Sequence, residues 1–483
     1  SLYLWDWQIG RLWNVLNNKE AAVQAYAQAV DQLEKIRRET LSTNKTWQFD
    51  FRDAVEPIYR QYAALNIRDV PETSAISEGG SAFSALNNTL TTLDSLKVSE
   101  LQSYFANDCI IAPITTRVDA VENAQATAVV STAILGQNVS DTGESEGQLV
   151  VIASFPNGIK KVTQVVANGE TVERVINQFR RTLEAGNREY ITEYDQTPGR
   201  QLYQWLIAPF EPDLIDVQTL VFVNDGLLRS VPMAALYDGE QYLIEKFAIA
   251  TTPSLTLTNP EPLKRPPQLS ALLMGVSQPV ALPARSFEAL PAVDEELAQV
   301  AEILPSSQIL LNQELSVASL KQTLADTDYR ILHLATHGTF GFDPDENFVV
   351  LGARQTSGDF NQVLTIGELD SLIREASGPD RAPIELLTLT ACETAIGDRR
   401  ATLGLAGIAV RAGVKSAIAT LWSVGDASSA QLISDFYTQL QDPTLTKAQA
   451  LQNAQIAMIR NSDSFINQHP YRWASFILIG NWL

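Results

Sequence analysis

Apolar residues change their spacing twice along this 483-residue chain, and the changes divide it. From residue 2 to 39 they recur at intervals of three and four, as in Ala22, Tyr26, Ala29 and Leu33, which is one face of a helix. Asn17-Asn18 breaks the run, so two helices are predicted there. A third is expected over Phe49–Asn66, with Val55, Ile58, Tyr59, Tyr62 and Leu65 on its apolar side, and Pro71–Ser81 is rich in turn formers. Ala82–Ala106 reads as two further helices. At Cys109-Ile-Ile-Ala-Pro113 short β-branched runs take over. Strands are predicted over 126–135, 147–155 and 159–166, with a polar hairpin or loop at Asp141–Gly147. An amphipathic helix follows at Thr171–Ala185, and another begins at Gln201 and is stopped by Pro209. Thr219–Val223 is a buried strand, and Asn224-Asp225-Gly226 signals a hairpin whose return strand is Leu227–Pro232.

Four prolines, Pro260, Pro262, Pro266 and Pro267, mark the second change and predict a linker. Beyond them a new α/β unit opens with the strand Ala271–Gly275. Helices are predicted at Asp294–Ile303 and Ser316–Leu324, then a strand at Ile331–Thr336. Phe340–Gly367 has little regularity, and Glu368–Glu375 is a helix candidate. Strands at Ile384–Thr390, Ser416–Trp422 and Ser475–Ile479 alternate with helices at Gly404–Ala412, Ala427–Leu440 and Lys447–Arg460. That alternation predicts an α/β fold with a mostly parallel sheet covered by helices on both faces. The expected division is a helical region 1–108, an α/β region 109–268 and a second α/β domain 269–483.

The helical start has a further pattern. Ile9-Gly10-x2-Trp13 followed by Ala22-x3-Tyr26 resembles one tetratricopeptide repeat, without that pattern's terminal proline. One repeat cannot bury its own face, so the alternatives are a truncated array and an ordinary helix pair packed on a neighbour. The first residue is Ser1, which reads as a trimmed start and leaves a leader sequence undecided.

Composition narrows the function classes. Apolar residues make up 45% and charged residues 19%, a soluble globular balance, and the length suits two to three domains. No run approaches the ~18 apolar residues of a membrane span. A formal charge of −21 argues against nucleic acid and anionic membranes as partners. The acidity serves either solubility or attraction of basic peptides and proteins. Cys109 and Cys392 follow no metal or disulfide spacing, and nothing calls for a metal or cofactor. This usage is compatible with a reducing, cytoplasmic setting.

Two strand ends carry the candidate chemistry. Arg330-Ile-Leu-His-Leu-Ala-Thr-His-Gly338 ends its apolar run in His337, and Glu385-Leu-Leu-Thr-Leu-Thr-Ala-Cys392 ends in Cys392. Ligands of open parallel sheets bind beyond the carboxyl ends of strands. If the two strands are parallel neighbours, a thiol and an imidazole meet at one edge. The imidazole takes the thiol proton and later protonates the leaving amine. Backbone N–H groups of Gly338 and Cys392 are the oxyanion-hole candidates. The competing reading is a buried cysteine and a merely hydrogen-bonded histidine. His333-x3-His337 is not a zinc pair, because four strand residues span about 13 Å, so His333 is expected to pack. His469 receives no role. The loop Ser423-Val-Gly-Asp426 should face the same cleft. Asp426 either caps the helix that follows or holds a basic substrate side chain, with Glu368 and Asp398 as weaker candidates for that task.

With His-Leu-Ala-Thr-His-Gly338 and Ala-Cys-Glu-Thr-Ala395 in view, the sequence resembles the CHAT family. These are caspase-like domains associated with tetratricopeptide repeats and related to caspases, metacaspases and separases. The resemblance takes in Arg229–Leu236, Thr-Leu-Trp-Ser-Val-Gly-Asp426, Asp435-Phe-Tyr437 and Trp473–Trp482. It implies a caspase-like sheet and a cysteine endopeptidase with a His337–Cys392 dyad, His before Cys as in caspases. The surroundings of Cys392 are not those of a caspase, so aspartate specificity does not carry over. Separases have a similar Leu-Trp-x-Val-x-Asp stretch and prefer arginine, which supports Asp426 in a pocket for a basic P1 residue. The 109–268 region looks like the inactive caspase-like half of some relatives. Gly-Asp398-Arg-Arg-Ala-Thr-Leu-Gly404 departs from the glycine-rich acidic stretch of many relatives, which bears on substrate preference. The implied partners are a protein or peptide substrate and a regulatory protein on the helical region, with activity gated by that partner. A catalytically silent interaction scaffold is the alternative, and an acyl transferase using the same dyad is a third possibility.

Overall fold

The computed structural model describes residues 2–40, 55–105, 126–139, 145–185, 194–263, 269–283, 285–340, 347–352, 363–376, 381–394, 413–422, 424, 426–461 and 465–483. Helices α1 (Leu2–Val15) and α2 (Lys19–Thr40) pack on one another across a turn in which Asn17 takes φ 56°. They approach closely because Gly10 has no side chain: a Cβ there would lie 2.6 Å from the Tyr26 ring. Tyr26, Ala29 and Leu33 then form one apolar cluster with Ile58, Tyr59 and Tyr62 of α3 (Glu56–Ile67). The predicted pair of helices over 82–106 is instead one continuous α4 (Ser81–Phe105). Thr89 and Thr92 return their hydroxyls to the carbonyls of Ala85 and Asn88, so these polar residues do not break the helix. Leu86, Leu90, Leu93 and Leu96 are all buried along it.

The strands are β1 (Thr127–Val139), β2 (Ser145–Ser154), β3 (Lys160–Asn168), β4 (Thr219–Val223), β5 (Ala248–Thr251), β6 (Ala271–Gly275), the small pair β7 (Val280–Ala281) and β8 (Ser286–Phe287), β9 (Ser307–Leu311), β10 (Ile331–Phe340), β11 (Phe348–Val350), β12 (Val363–Thr365), β13 (Leu386–Thr394), β14 (Ser416–Thr420) and β15 (Phe476–Gly480). Thirteen of them form one sheet. One parallel block runs β9-β6-β10-β13-β14. A second parallel block runs β1-β4-β5 and continues into β15. The blocks join where β15 lies antiparallel to β14, so their carboxyl edges point in opposite directions. β15 meets β5 at a single pair, Ile479 with Thr251. The sheet therefore runs continuously through both sides of the proline-rich stretch, of which residues 264–268 lie outside the described residues.

Two of the expected local features differ. The run 340–367 contains the β11 and β12 strands: β11 adds antiparallel to the upper half of β10, and β12 adds antiparallel to β11. The Asn224-Asp225-Gly226 hairpin is absent: Gly226–Ser230 is a 3-10 turn, and Gly226 takes φ 54°. Both edges of β4 are already filled by β1 and β5, so no return strand has a place there.

Helices α5 (Gly169–Glu184), α6 (Thr197–Leu206), α7 (Ala292–Ile303), α10 (Asp426–Leu440) and α11 (Lys447–Ile459) cover one face of the sheet, and their apolar residues share one core. On the other face, α8 (Val317–Asp326) and α9 (Ile366–Ala376) cover the β10 block, while α3 and α4 cover β1–β3.

What ties the helical arm to the sheet is a buried charge network at the carboxyl end of β4. Arg60 of α3 grips both Asp225 oxygens, at 2.6 and 3.1 Å, and bonds Glu56 at 2.6 Å. Arg229 bonds Glu100 of α4. Asp225 also accepts from the Ile134 N–H at 3.0 Å, and Lys97 donates to the Val223 carbonyl at 3.0 Å. Burial by itself raises the Asp225 carboxyl, but the Arg60 charge and hydrogen bond, with Arg229 and Lys97, outweigh it and hold the group well below the usual carboxylate range. Burial lowers the Lys97 ammonium to about 8 against the opposing pull of Asp225. A depressed carboxyl stabilises the fold above its unfolded pKa, and that stability is lost as pH falls through the folded value. Asp225→Asn is expected to cost about 3 kcal/mol at neutral pH, because it removes the buried carboxylate that Arg60 grips twice and leaves only Glu56 to balance that charge. It should also flatten the acid limb of stability against pH, both read by urea unfolding from pH 3 to 7. A wild-type acid limb in the variant would contradict this account.

Candidate functional site

β10 and β13 are parallel neighbours, as their sequences lead one to expect, and β14 lies parallel on the far side of β13. The carboxyl ends of these three strands share one edge. Both motif strands run on past their reactive residues, β10 to Phe340 and β13 to Thr394, so neither His337 nor Cys392 is a strand end. What marks the position instead is a β-bulge. Ala335 pairs with Thr390 and Gly338 with Cys392, so β10 has one more residue than β13 in the interval. Bulges re-aim a side chain by breaking the strand's period of two. Regular alternation would send His337 to the face of His333. Its ring lies instead against Phe287, a residue of the opposite face's core, with centroids 5.1 Å apart. Thr336 seals the bulge by donating from Oγ1 to the Val350 carbonyl of β11 at 2.8 Å.

The half-buried His337 bonds the Glu288 carbonyl through Nε2 at 2.9 Å. A carbonyl oxygen only accepts, so Nε2 carries a proton. In the neutral ring Nδ1 is then the basic nitrogen, fixed by a backbone atom in place of a carboxylate.

His333 packs as expected, and its surroundings are polar. It is fully buried, with Nε2 2.9 Å from Glu296 Oε1 and Nδ1 3.2 Å from the Tyr437 hydroxyl. Glu296 Oε1 also accepts from Thr390 Oγ1 at 3.1 Å, and Thr388 Oγ1 lies 2.9 Å from the Tyr437 hydroxyl. Burial and the nearby Glu296 push the Tyr437 phenol well above its ordinary range. α7 reaches this depth because it crosses β6 at Gly275, where a Cβ would lie 2.6 Å from Val293.

The remaining candidates fall as follows. Gly338 is buried between Cys392 on one side and Val349 on the other. An N–H spent on a ladder neighbour is not free for an oxyanion, which sets a condition on that role. The Cys392 backbone lies in β13, and its side chain lies outside the described residues. Asp426 is the first residue of α10, at the edge reached from β14; its side chain too lies outside the described residues. Glu368 is exposed on α9, where its carboxylate accepts from the Thr365 N–H at 2.8 Å and Oγ1 at 2.7 Å, a capping box. Asp398, Cys109 and the predicted 404–412 helix lie outside the described residues. His469 Nδ1 accepts from the Tyr471 N–H at 3.1 Å. Sequence reasoning missed Glu296, Phe287, Tyr437 and the Glu288 carbonyl. Glu296 follows Asp294 and Glu295 at the start of a helix, where an acidic residue is ordinary, and only the packing of α7 reveals its burial.

The CHAT domain family matches residues 196–481, more than half of the chain. No curated protein matches it. In fold it is similar to a chain of the Saccharomyces cerevisiae separase-securin complex, at TM-score 0.52 and 12% identity. That alignment covers 96% of this chain and 38% of that chain, so this chain spans well under half of its relative's length. The Arg-specific cysteine proteinase gingipain R aligns over 65% of this chain and 74% of its own at TM-score 0.34 and 10% identity.

The His337 geometry makes a direct prediction. Nitrogen-15 NMR of the neutral protein should report the Nε2–H tautomer for His337. A dominant Nδ1–H tautomer would mean that the Glu288 carbonyl does not hold the ring.

Proposed function

The chain belongs to the CHAT domain family, and from that premise we propose that it is a cysteine endopeptidase that cuts protein substrates after a basic residue. The observation that carries the reading is the parallel pairing of β10 with β13, which sets Gly338 opposite Cys392 one residue after His337. Cys392 is the nucleophile. His337 Nδ1 accepts its proton and returns it to the leaving amine. Backbone N–H groups at Gly338 and Cys392 stabilise the oxyanion once substrate draws them from the ladder. Asp426 holds the basic P1 side chain, since Glu368 is engaged at the start of α9; Asp398 stays a secondary candidate. The 109–268 block serves as a non-catalytic half. Its β4 carboxyl edge is filled by Arg60, Lys97 and Glu100 of the helical arm.

Activity is gated by a regulatory protein on the helical region. In support, α1 leaves Leu2, Trp5, Leu12 and Val15 exposed, an apolar surface that ordinary solvated helices lack. The solved separase is itself in complex with a protein partner, securin, and in this chain the exposed face of α1 is the candidate surface for such a partner.

Arginine-terminated fluorogenic peptides test the reading, alongside cleavage of the chain itself. Cys392→Ala and His337→Ala should each reduce cleavage by at least about 1,000-fold. Asp426→Asn should lower kcat/KM for arginine by about 30-fold or more, with little change for an uncharged P1 residue. Cleavage that persists in Cys392→Ala sinks the assignment. Absence of any Cys392-dependent cleavage, also with a binding protein present, favours the silent scaffold.

A further inference from the structure

We propose that Glu296 is a positioning residue for the His337–Cys392 pair: it clamps β10 to β13 beneath the bulge and so keeps the two residues in register. The inference rests on the peptidase reading above and adds a residue that no motif singles out.

The contacts of one carboxylate oxygen carry it. Glu296 Oε1 takes His333 Nε2 of β10 at 2.9 Å and Thr390 Oγ1 of β13 at 3.1 Å. His333 lies four residues before His337 and Thr390 two before Cys392. The bulge begins where Ala335 pairs with Thr390, so the clamp closes on the last regular rung. Glu296 is 3% exposed and His333 and Thr390 at most 1%, so no water replaces a lost bond without rearrangement. A second clamp, Arg330 to Glu385 at 2.6 Å, holds the amino ends of the same two strands.

A register held this way needs holding. The regular rungs from Ile331 with Leu386 to Ala335 with Thr390 set where both motif ends start, and a slip of β10 against β13 along these rungs would move His337 relative to Cys392. His333 and Thr390 reach one Glu296 oxygen together only in the observed alignment. The same helix fixes the base from above, because the residues leading into α7 include Phe287 and Glu288, the ring contact and the carbonyl acceptor of His337. Tyr437 extends the clamp to α10, the helix that begins at Asp426.

Alkylation of Cys392 by iodoacetamide tests this without any substrate. Its rate is followed from pH 5 to 9 by peptide mass spectrometry, which separates Cys392 from Cys109. Four proteins are compared well below their unfolding temperatures: wild type, His337→Ala, Glu296→Gln and Thr390→Val. Thr390→Val keeps shape and removes only the hydroxyl, so it remains informative if Glu296→Gln fails to fold. The expected result is a fast, His337-dependent Cys392 in the wild type. Both clamp variants should slow it at neutral pH, by roughly 10-fold to 100-fold for Glu296→Gln and less for Thr390→Val. Their pH midpoints should move toward that of His337→Ala. A clamp that only stabilised the fold would lower the unfolding temperature and leave rate and midpoint alone, and that outcome overturns the proposal while the dyad stands. If His337→Ala itself matches the wild type, the dyad and the clamp fail together.

Discussion

The pairing of β10 with β13 is the constraint on which everything at the carboxyl edge depends. Parallel strands bring their ends to one side without any help from loops, but they bring side chains there in strict alternation. The ladder departs from that alternation at one inserted residue, opposite Ala391, which turns His337 away from the face of His333 and leaves Gly338 opposite Cys392. The insertion is held from the side by Thr336 on β11, from above by Glu288, and from below by the Glu296 carboxylate. Each contact comes from a different segment, so the geometry of the site is a property of the assembled sheet and of no single motif.

The two parallel blocks use their carboxyl edges differently. In one, the edge carries the histidine and cysteine motifs. In the other, Arg60, Lys97 and Glu100 from the arm fill the end of β4 with paired charge. Burying these groups is tolerable only because every one has a partner: Arg60 has Glu56 and Asp225, Arg229 has Glu100, and Lys97 has two backbone carbonyls. The arm is thereby fastened to the sheet by interactions that demand exact placement, whereas the apolar packing beneath α3 and α4 does not.

Much of this could be read from the chain. Periodicity located most of the longer helices and strands, because burial on one face or two imposes the pattern directly, while short strands such as β5 and β9 escaped it. The neighbourhood of the two motif strands followed from the crossover between them. Three features were not legible, each for a physical reason. Asn-Asp-Gly has the chemistry of a hairpin turn, but turn propensity cannot know that both edges of β4 are occupied. The short strands β11 and β12 lack enough residues to show a period; β11 exists because β10 offers it an edge, and β12 because β11 then does the same. Glu296 looks like any acidic residue in a first helical turn, since the feature that buries it, close approach at Gly275, is distant in sequence.

That last case bears on why the site has a polar foundation at all. Replacing Glu296, His333, Thr390 and Tyr437 by aliphatic residues of like volume would cost little stability, and buried ionic groups are often exchanged for apolar ones at no loss. Apolar side chains, however, attract without direction, and a ladder packed only by them holds a slipped register nearly as well as the native one. A hydrogen bond of 2.9 Å from His333 and another of 3.1 Å from Thr390 to one oxygen are satisfied together in a single alignment of the two strands. The network therefore supplies selectivity between registers more than net stability. That alignment fixes the last regular rung, Ala335 with Thr390, from which the bulge and the Cys392 backbone continue.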